Sequence, residues 1–404
     1  MSFRVISRIS LPIFQSVLLL VASVQILAAA DLPSTAPKKN ETVLLLKQKN
    51  YRELDKRLAN VQKAFDQGLL SDEQLLDTFR AFYDTDPLLE ANYNEWIEKY
   101  PVSYPARLAR GIYYKYVGIW KRGEDWIRNV KPEQLREMRS YFEKAMQDLQ
   151  ASVELEKKPI LSYQHMMGIG TYLGMPEMNR KLLDDTIRVH PKNFVVRRRY
   201  MYALQARWGG GAQEMAAFLD ECRKAKLPES QLNQLELAVI ADSAWTKEMK
   251  QDHRGALQDY DKVIKTFEKK LVPLDSHEYT QALIEAGRIH SRLKEYKEAL
   301  PYWDKVAQAN PSYETDASRY WFWSNHGFAL MQAGRNQEAL KDFLKAAGMG
   351  DPWAQNQLGK LYWYGTIVKK DNKEAIKWFE QAAKQGFVEG QNNLRDAKAQ
   401  TPTL

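Results

Sequence analysis

His165, His190, His253, His277, His290 and His326 are the histidines of this 404-residue sequence, and none falls in H-x-x-x-H or H-E-x-x-H spacing. Cys222 is the only cysteine. A tetrahedral zinc site would have to be gathered from distant segments, without the close-set ligand pairs such sites use. No G-x-S-x-G elbow occurs, and Glu53/Asp55 and Asp184/Asp185 sit in ordinary charged helix patterns. The triplet Gly209, Gly210, Gly211 has a helical pattern before it and Ala212-Gln213-Glu214 after it. A phosphate-cradling loop needs a preceding strand and a following Lys-Ser/Thr, so a helix end with a tight turn is expected. No catalytic residue, metal or cofactor is therefore predicted. The residues that remain suit non-covalent recognition. Arg288 with Arg292, and Asn356 with Lys360, are i,i+4 pairs, and each pair shares a helix face. Trp245, Trp321, Phe328, Trp363 and Tyr364 stand near them and offer apolar contact or cation–π support.

A regular spacing places these residues. Gly287 stands twelve residues before Ala299, Gly327 twelve before Ala339, and Gly359 sixteen before Ala375. Each alanine is followed four residues later by an aromatic: Trp303, Phe343 and Phe379. Ala244, Ala256 and Tyr260 repeat the pattern with alanine in the glycine place. Helix pairs that cross closely need small residues at the crossing, and an aromatic at i+4 fills the space beside it. Pro311 ends one unit, and Asp351-Pro352 opens another as N-cap and first helical residue.

This pattern resembles the tetratricopeptide repeat. With Gly327 in the small-residue position, Trp323, Ala339, Phe343 and Ala346 occupy the other signature places. The unit around Gly287 has His290 where that family usually has Tyr. The longer interval resembles the related Sel-1-like repeat, through Ala346-Ala347, Gly350, Ala354, Leu358-Gly359, Tyr362, Gly365, Ala375, Trp378-Phe379, Ala382-Ala383 and Gly386. Its extra loop is Gly365 to Lys370, with Asp371 as N-cap of the second helix and Ile367 where a second glycine is usual. Gly386, Gly390 and Leu394 repeat Gly350, Ala354 and Leu358 at a period of 36, as a polar capping helix would. The resemblance implies a solenoid whose first helices line a concave groove. Trp245, Arg288, Arg292, Trp321, Phe328, Asn356, Lys360, Trp363 and Tyr364 then become groove candidates. Some tetratricopeptide domains grip a peptide carboxylate with such Lys, Arg and Asn residues, which implies a protein or peptide partner with an anionic tail. The competing reading makes Trp321, Phe328 and Trp363 packing residues between units.

The preceding part reads as helices and turns with no run of period-two alternation, so no sheet is predicted. Ser71 and Gln74 form a capping-box pattern, and Asp86-Pro87, Tyr104-Pro105, Lys131-Pro132, Met175-Pro176 and Leu227-Pro228 look like helix starts. Two blocks carry a resemblance. One is Trp96-Ile97, Tyr100-Pro101-x-Ser103, Ala106, Ala109 and Gly111-Ile112-Tyr113-Tyr114; the other is Tyr200 to Leu204 with Arg207-Trp208-Gly209-Gly210-Gly211. They are similar to the bacterial family catalogued as domain of unknown function 4034, which is helical and implies no catalysis.

The N-terminus carries Arg4 and Arg8, an apolar stretch from Val17 to Leu27, and Ala28-Ala29-Ala30 before Asp31. That order predicts a cleaved secretory signal and a periplasmic or secreted protein. An uncleaved membrane anchor over Ile9 to Ala30 is the alternative, weakened by Pro12, Gln15 and Gln25. With a single cysteine no intrachain disulfide is possible, so packing alone must hold the fold. Cys222 is expected to be a small buried residue. The net charge of +8 falls to +6 without Arg4 and Arg8. The densest basic stretch, Arg188, Lys192, Arg197, Arg198 and Arg199, is expected to be a solvated helix face, and no nucleic-acid partner is predicted.

The sequence therefore predicts an all-α fold, a helix-turn-helix repeat solenoid preceded by an N-terminal helical domain. The expected divisions are a signal (1–30), a linker (31–45), an N-terminal helical domain (46–235), tetratricopeptide-like repeats (236–347), a Sel-1-like repeat (348–386), and a capping helix and tail (387–404). The expected function is a non-enzymatic interaction scaffold of the bacterial envelope. A carbohydrate- or peptidoglycan-binding module is the alternative, and an enzyme with a site hidden in the N-terminal domain is a third reading.

Overall fold

A computed structural model describes residues 39–123, 129–269, 277–309 and 320–401. The predicted signal, most of the linker, Pro311 and the last three residues lie outside the described residues. Every described element is helical, with no strand among the described residues. Two compact units meet between Ala203 and Leu204.

The first unit contains α1 (Lys39–Lys47), α2 (Tyr51–Asp66), α3 (Asp72–Phe79), α4 (Leu89–Lys99), α5 (Tyr104–Arg122), α6 (Pro132–Leu155), α7 (Ile160–Tyr172), α8 (Pro176–Val189) and α9 (Val195–Ala203). Pro105, Pro132 and Pro176 sit in the first turns of α5, α6 and α8, as read from sequence. By contrast, α4 begins at Leu89, two residues after Pro87, and Pro228 stands just before the helix that begins at Glu229. Ser71 Oγ accepts from the Gln74 N–H, and the Gln74 side chain accepts from the Ser71 N–H, so the capping box closes. Ser103 caps α5 through the Ala106 N–H at 3.0 Å and also donates to Asp55. Asp55 in turn accepts from the fully buried Trp96 indole at 3.2 Å. The Trp96 and Ser103 block is thus one hydrogen-bonded assembly. Gly111 and Gly118 let α5 lie against α6: a Cβ on Gly111 would meet Leu149 at 2.8 Å, and one on Gly118 would meet Phe142 at 2.9 Å. Asp148 of α6, 3 % exposed, accepts from both Arg107 and Arg110 of α5.

The basic stretch departs from a solvated face. Arg188 and Lys192 are exposed. Arg197, however, is 2 % exposed and donates to the Pro191 carbonyl at 2.7 Å. Arg199 points toward α7 and donates to the Gly168 carbonyl at 3.3 Å. Packing on two sides of α9 therefore turns two of the five cations inward, which a charge count along the chain cannot register.

The second unit holds α10 (Ala212–Lys224) and then helix pairs: α11 (Glu229–Met249) with α12 (His253–Glu268), α13 (His277–Arg292) with α14 (Tyr296–Ala309), α15 (Tyr320–Gln332) with α16 (Asn336–Gly348), and α17 (Pro352–Tyr364) with α18 (Asn372–Lys384). α19 (Val388–Gln400) closes the series. The sequence-based division at 235/236 falls within α11. Gly209 takes a left-handed conformation (φ 92°) after a short 3-10 turn, as a helix end with a tight turn requires. Cys222 is fully buried.

The crossing register is steric. A Cβ on Gly287 would come within 2.8 Å of the Trp303 ring, one on Gly327 within 3.1 Å of Phe343, and one on Gly359 would collide with Phe379. Ala256, Ala299, Ala339 and Ala375 are fully buried beside them. Trp303 then meets Phe322 of the next pair edge-on at 5.9 Å, and Phe343 meets Trp353 at 5.8 Å. One apolar core consequently runs without a break from Leu237 to Leu361.

Candidate functional site

The residue one place after each small crossing position is Trp245, Arg288, Phe328 and Lys360, on the first helices of the four pairs. None of the four is buried: Arg288 is exposed and the other three are half-buried. The helix rises from a packed crossing, so the neighbouring position faces away from the partner helix. The first helices thus present a row that alternates aromatic and cationic side chains.

The cations in this row already have partners. Arg288 lies 3.4 Å from Glu285, one turn earlier on α13. Arg292 reaches back to Glu248 of α11 at 3.0 Å, linking two first helices. Lys360 of α17 pairs with Glu389 of α19 at 3.3 Å. The pairs differ in how readily they open. Lys360 and Glu389 are both substantially exposed, at 38 % and 48 % of their side chains. Glu248 is only 7 % exposed, so freeing Arg292 would strand a buried carboxylate. Burial holds the Glu285 carboxyl above its ordinary range, reinforced by the charge of Glu248 and opposed by Arg288.

Trp245 lies under the Arg207 guanidinium, 5.5 Å from its ring. Phe328 packs edge-on against Tyr296 at 5.7 Å and Trp353 at 5.8 Å. Trp321 and Phe328 pack against the continuous core, and Trp363 packs against the terminal cluster of Ala375, Phe379 and Ala397. These three side chains contribute to packing between units as well as to the half-exposed row. Tyr364, at the end of α17, is 67 % exposed. Asn356 differs from its expected place: it is fully buried, and its Oδ1 accepts from Asn393 of α19 at 2.8 Å. It fastens the closing helix, because the turn of α17 that carries it faces α19. The structure therefore gathers Arg288 and Arg292 around Glu248 and Glu285, and separately brings Lys360 and Trp363 to α19, with Tyr364 exposed at the end of α17. Glu248, Glu285 and Glu389 were missed by sequence reasoning. Glu248 and Glu389 gave little signal, because their partners depend on how the helices stack, whereas Glu285 is an i,i+3 neighbour of Arg288 and its spacing was there to be read.

His290, in the place usual for Tyr, stacks on Tyr302 at 5.3 Å and lies 2.8 Å from Glu295. No grouping of three His, Cys, Asp or Glu side chains suited to a metal ion occurs among the described residues. No described helix is long and apolar enough to cross a membrane.

Comparison with known families agrees with both resemblances. Residues 40–188 match the domain of unknown function DUF4034, and residues 354–387 match the Sel1 repeat. The chain thus carries a DUF4034 region followed, nearer its C-terminus, by one Sel1 repeat. No curated protein matches it. Among solved structures, a protective antigen of uropathogenic Escherichia coli strains displaying an SLR fold is 18 % identical, over 88 % of this chain and 90 % of that one, with a TM-score of 0.37. Yeast Tom70 is 11 % identical over 93 % and 83 %, with a TM-score of 0.37. The apo quorum sensor NprR from B. thuringiensis is 13 % identical over 89 % and 96 %, with a TM-score of 0.38.

Proposed function

We propose that this chain is an exported, non-enzymatic scaffold of the bacterial envelope that holds a peptide or protein along the concave face formed by the first helices of its C-terminal repeats. The observation that carries this reading is the unburied row Trp245, Arg288, Phe328 and Lys360, set at one register across four stacked pairs. Helical repeat arrays use such surfaces for extended contacts. Aromatic side chains supply most of the contact energy, and the cations supply orientation. An anionic tail on the partner would exchange with Glu389 at Lys360 and with Glu285 at Arg288. The exposed Lys360–Glu389 pair holds only about 0–1 kcal/mol, so exchange there costs little, whereas at Arg288 the Glu285 side chain is only 14 % exposed and its release costs more. Arg292 stays with Glu248 and acts as a brace between α11 and α13.

Export rests on the order of basic residues, apolar stretch and Ala28-Ala29-Ala30 at the N-terminus. It predicts a mature protein that begins at Asp31, which N-terminal sequencing after cell fractionation checks. The groove is tested by affinity capture from a native envelope extract with mass spectrometry, comparing the natural chain with an R288A/K360A/Y364A variant. Loss of a specific protein from the variant supports the assignment. Unchanged capture by an equally folded variant would sink it.

A further inference from the structure

Lys115 of α5 is 4 % exposed, and its Nζ lies 3.2 Å from Nδ1 of His165 on α7, itself fully buried. In its ammonium form Lys115 can only donate, and Nδ1 then accepts with the imidazole proton on Nε2. That Nε2 is buried and has no hydrogen-bond partner. Arg199 of α9 reaches the same turn of α7: its Nη2 donates to the Gly168 carbonyl, while its Nε is buried without a partner. A Cβ on Gly168 would stand 2.7 Å from the Lys115 Nζ and 3.3 Å from the Arg199 Nη2. The glycine thus lets both cationic heads meet over one point.

No carboxylate pairs with Lys115 or Arg199 among the described residues. Tyrosines wall the cluster instead. Tyr83 and Tyr116 stack at 4.1 Å, Tyr83 stands edge-on to His165 at 5.7 Å, and Tyr116 and Tyr202 lie under Lys115 and Arg199 at 5.0 and 4.8 Å. Burial, with the charge of Arg199, holds the Lys115 ammonium well below its ordinary range; burial holds His165 and Arg199 down as well. Cation–π contact offsets only part of the cost of desolvating each lone charge. A fold with two adjacent cations and no counter-charge is completed by an anion. Arg199, Tyr83, Tyr116 and Tyr202 are partly buried around Lys115 and His165, which are buried. The nitrogen groups of Lys115, His165 and Arg199 offer donors, which suits a group bearing only acceptors.

We propose that the N-terminal unit holds a small oxyanion, a carboxylate or phosphate group, between Lys115, His165 and Arg199. This site is separate from the repeat surface and stands or falls independently of it. The test is calorimetric titration of the full chain with inorganic phosphate and with acetate at fixed ionic strength, in parallel with thermal melting. One saturable site is expected, and an anion at about five times its Kd raises the melting temperature by roughly 2–4 °C. Lys115→Met should weaken binding at least tenfold while leaving the helical signal intact, and Arg199→Gln gives a second variant that keeps the ammonium. Response to phosphate or to acetate alone identifies the source of the oxyanion, and either supports the site when lost in the variants. No saturable binding of either anion, or binding that is unchanged in both variants, would overturn it and leave Lys115 a neutral core amine.

Discussion

Gly359 and Phe379 make the tightest crossing in the repeats, and the cost of adding one methyl group there can be reasoned. Ala is favoured over Gly in a helix by about 1 kcal/mol. Overpacking a rigid ring costs about 1–3 kcal/mol. At Gly359 a Cβ would collide with three carbons of a ring that is 2 % exposed, so the clash wins. Gly359→Ala should lower unfolding free energy by up to about 2 kcal/mol, whereas Gly327→Ala, where the nearest atom is 3.0 Å away, should stay within about 0.5 kcal/mol. Denaturant titration ranks them, and equal values would contradict a steric origin of the register. The cations differ in the same way. Arg292→Ala strands Glu248 and should destabilise the fold, while Lys360→Ala should leave stability within about 0.5 kcal/mol. Comparing their denaturation midpoints checks this. The crossing glycines were legible in the sequence because their demand is local and steric. The partners of Arg292 and Lys360 were not, because those contacts join helices more than 25 residues apart. Asn356 was misplaced for the same reason: counting along α17 gives its register but not the helix it meets.

At the scale of elements, the four-residue expansion was read correctly from the spacing. Gly365 ends α17 in the left-handed region (φ 67°), and its Cβ position would lie 3.1 Å from the Lys370 backbone nitrogen. Asp371 then caps α18 through the Glu374 N–H at 3.0 Å. Ile367, where a second glycine is usual, packs against the core. The α13 face carries a pH signature. Because burial raises the Glu285 pKa in the fold, the folded chain keeps a proton that the unfolded chain releases. Its contribution to stability is therefore present at low pH and declines as pH rises above the unfolded carboxylate range near ~4.3. Glu285→Gln should melt above the natural chain at pH 7, and the two curves should converge near pH 4; a constant gap would contradict this origin. α19 closes the array through Asn393 to Asn356, Glu389 to Lys360, and Gly390 against Ala382. Removing residues 387–404 should forfeit about 2 kcal/mol of burial around Leu394 and Ala397, a fall of roughly 4–8 °C in melting temperature. The exposed apolar end should also promote self-association, visible by light scattering.

At the scale of the whole molecule, the all-helical class and the order of a DUF4034 region before a Sel1 repeat follow from patterns legible along the chain. The start of the second unit at Leu204 does not. α10 and the first half of α11 lack the glycine–alanine–aromatic register, so their membership of the second unit is fixed by packing alone. The buried cations of α9 were hidden likewise, since a run of arginines reads as a solvated surface until the helix is placed. The central claim concerns which face of the repeats meets a partner, and site-specific photo-crosslinking in intact cells tests it most directly. A benzophenone side chain at Arg288 or Tyr364, on first helices, should join the chain to a discrete protein. The same group at the exposed Lys341 or Lys377, on second helices, should not. Adducts confined to Lys341 and Lys377 would contradict the account.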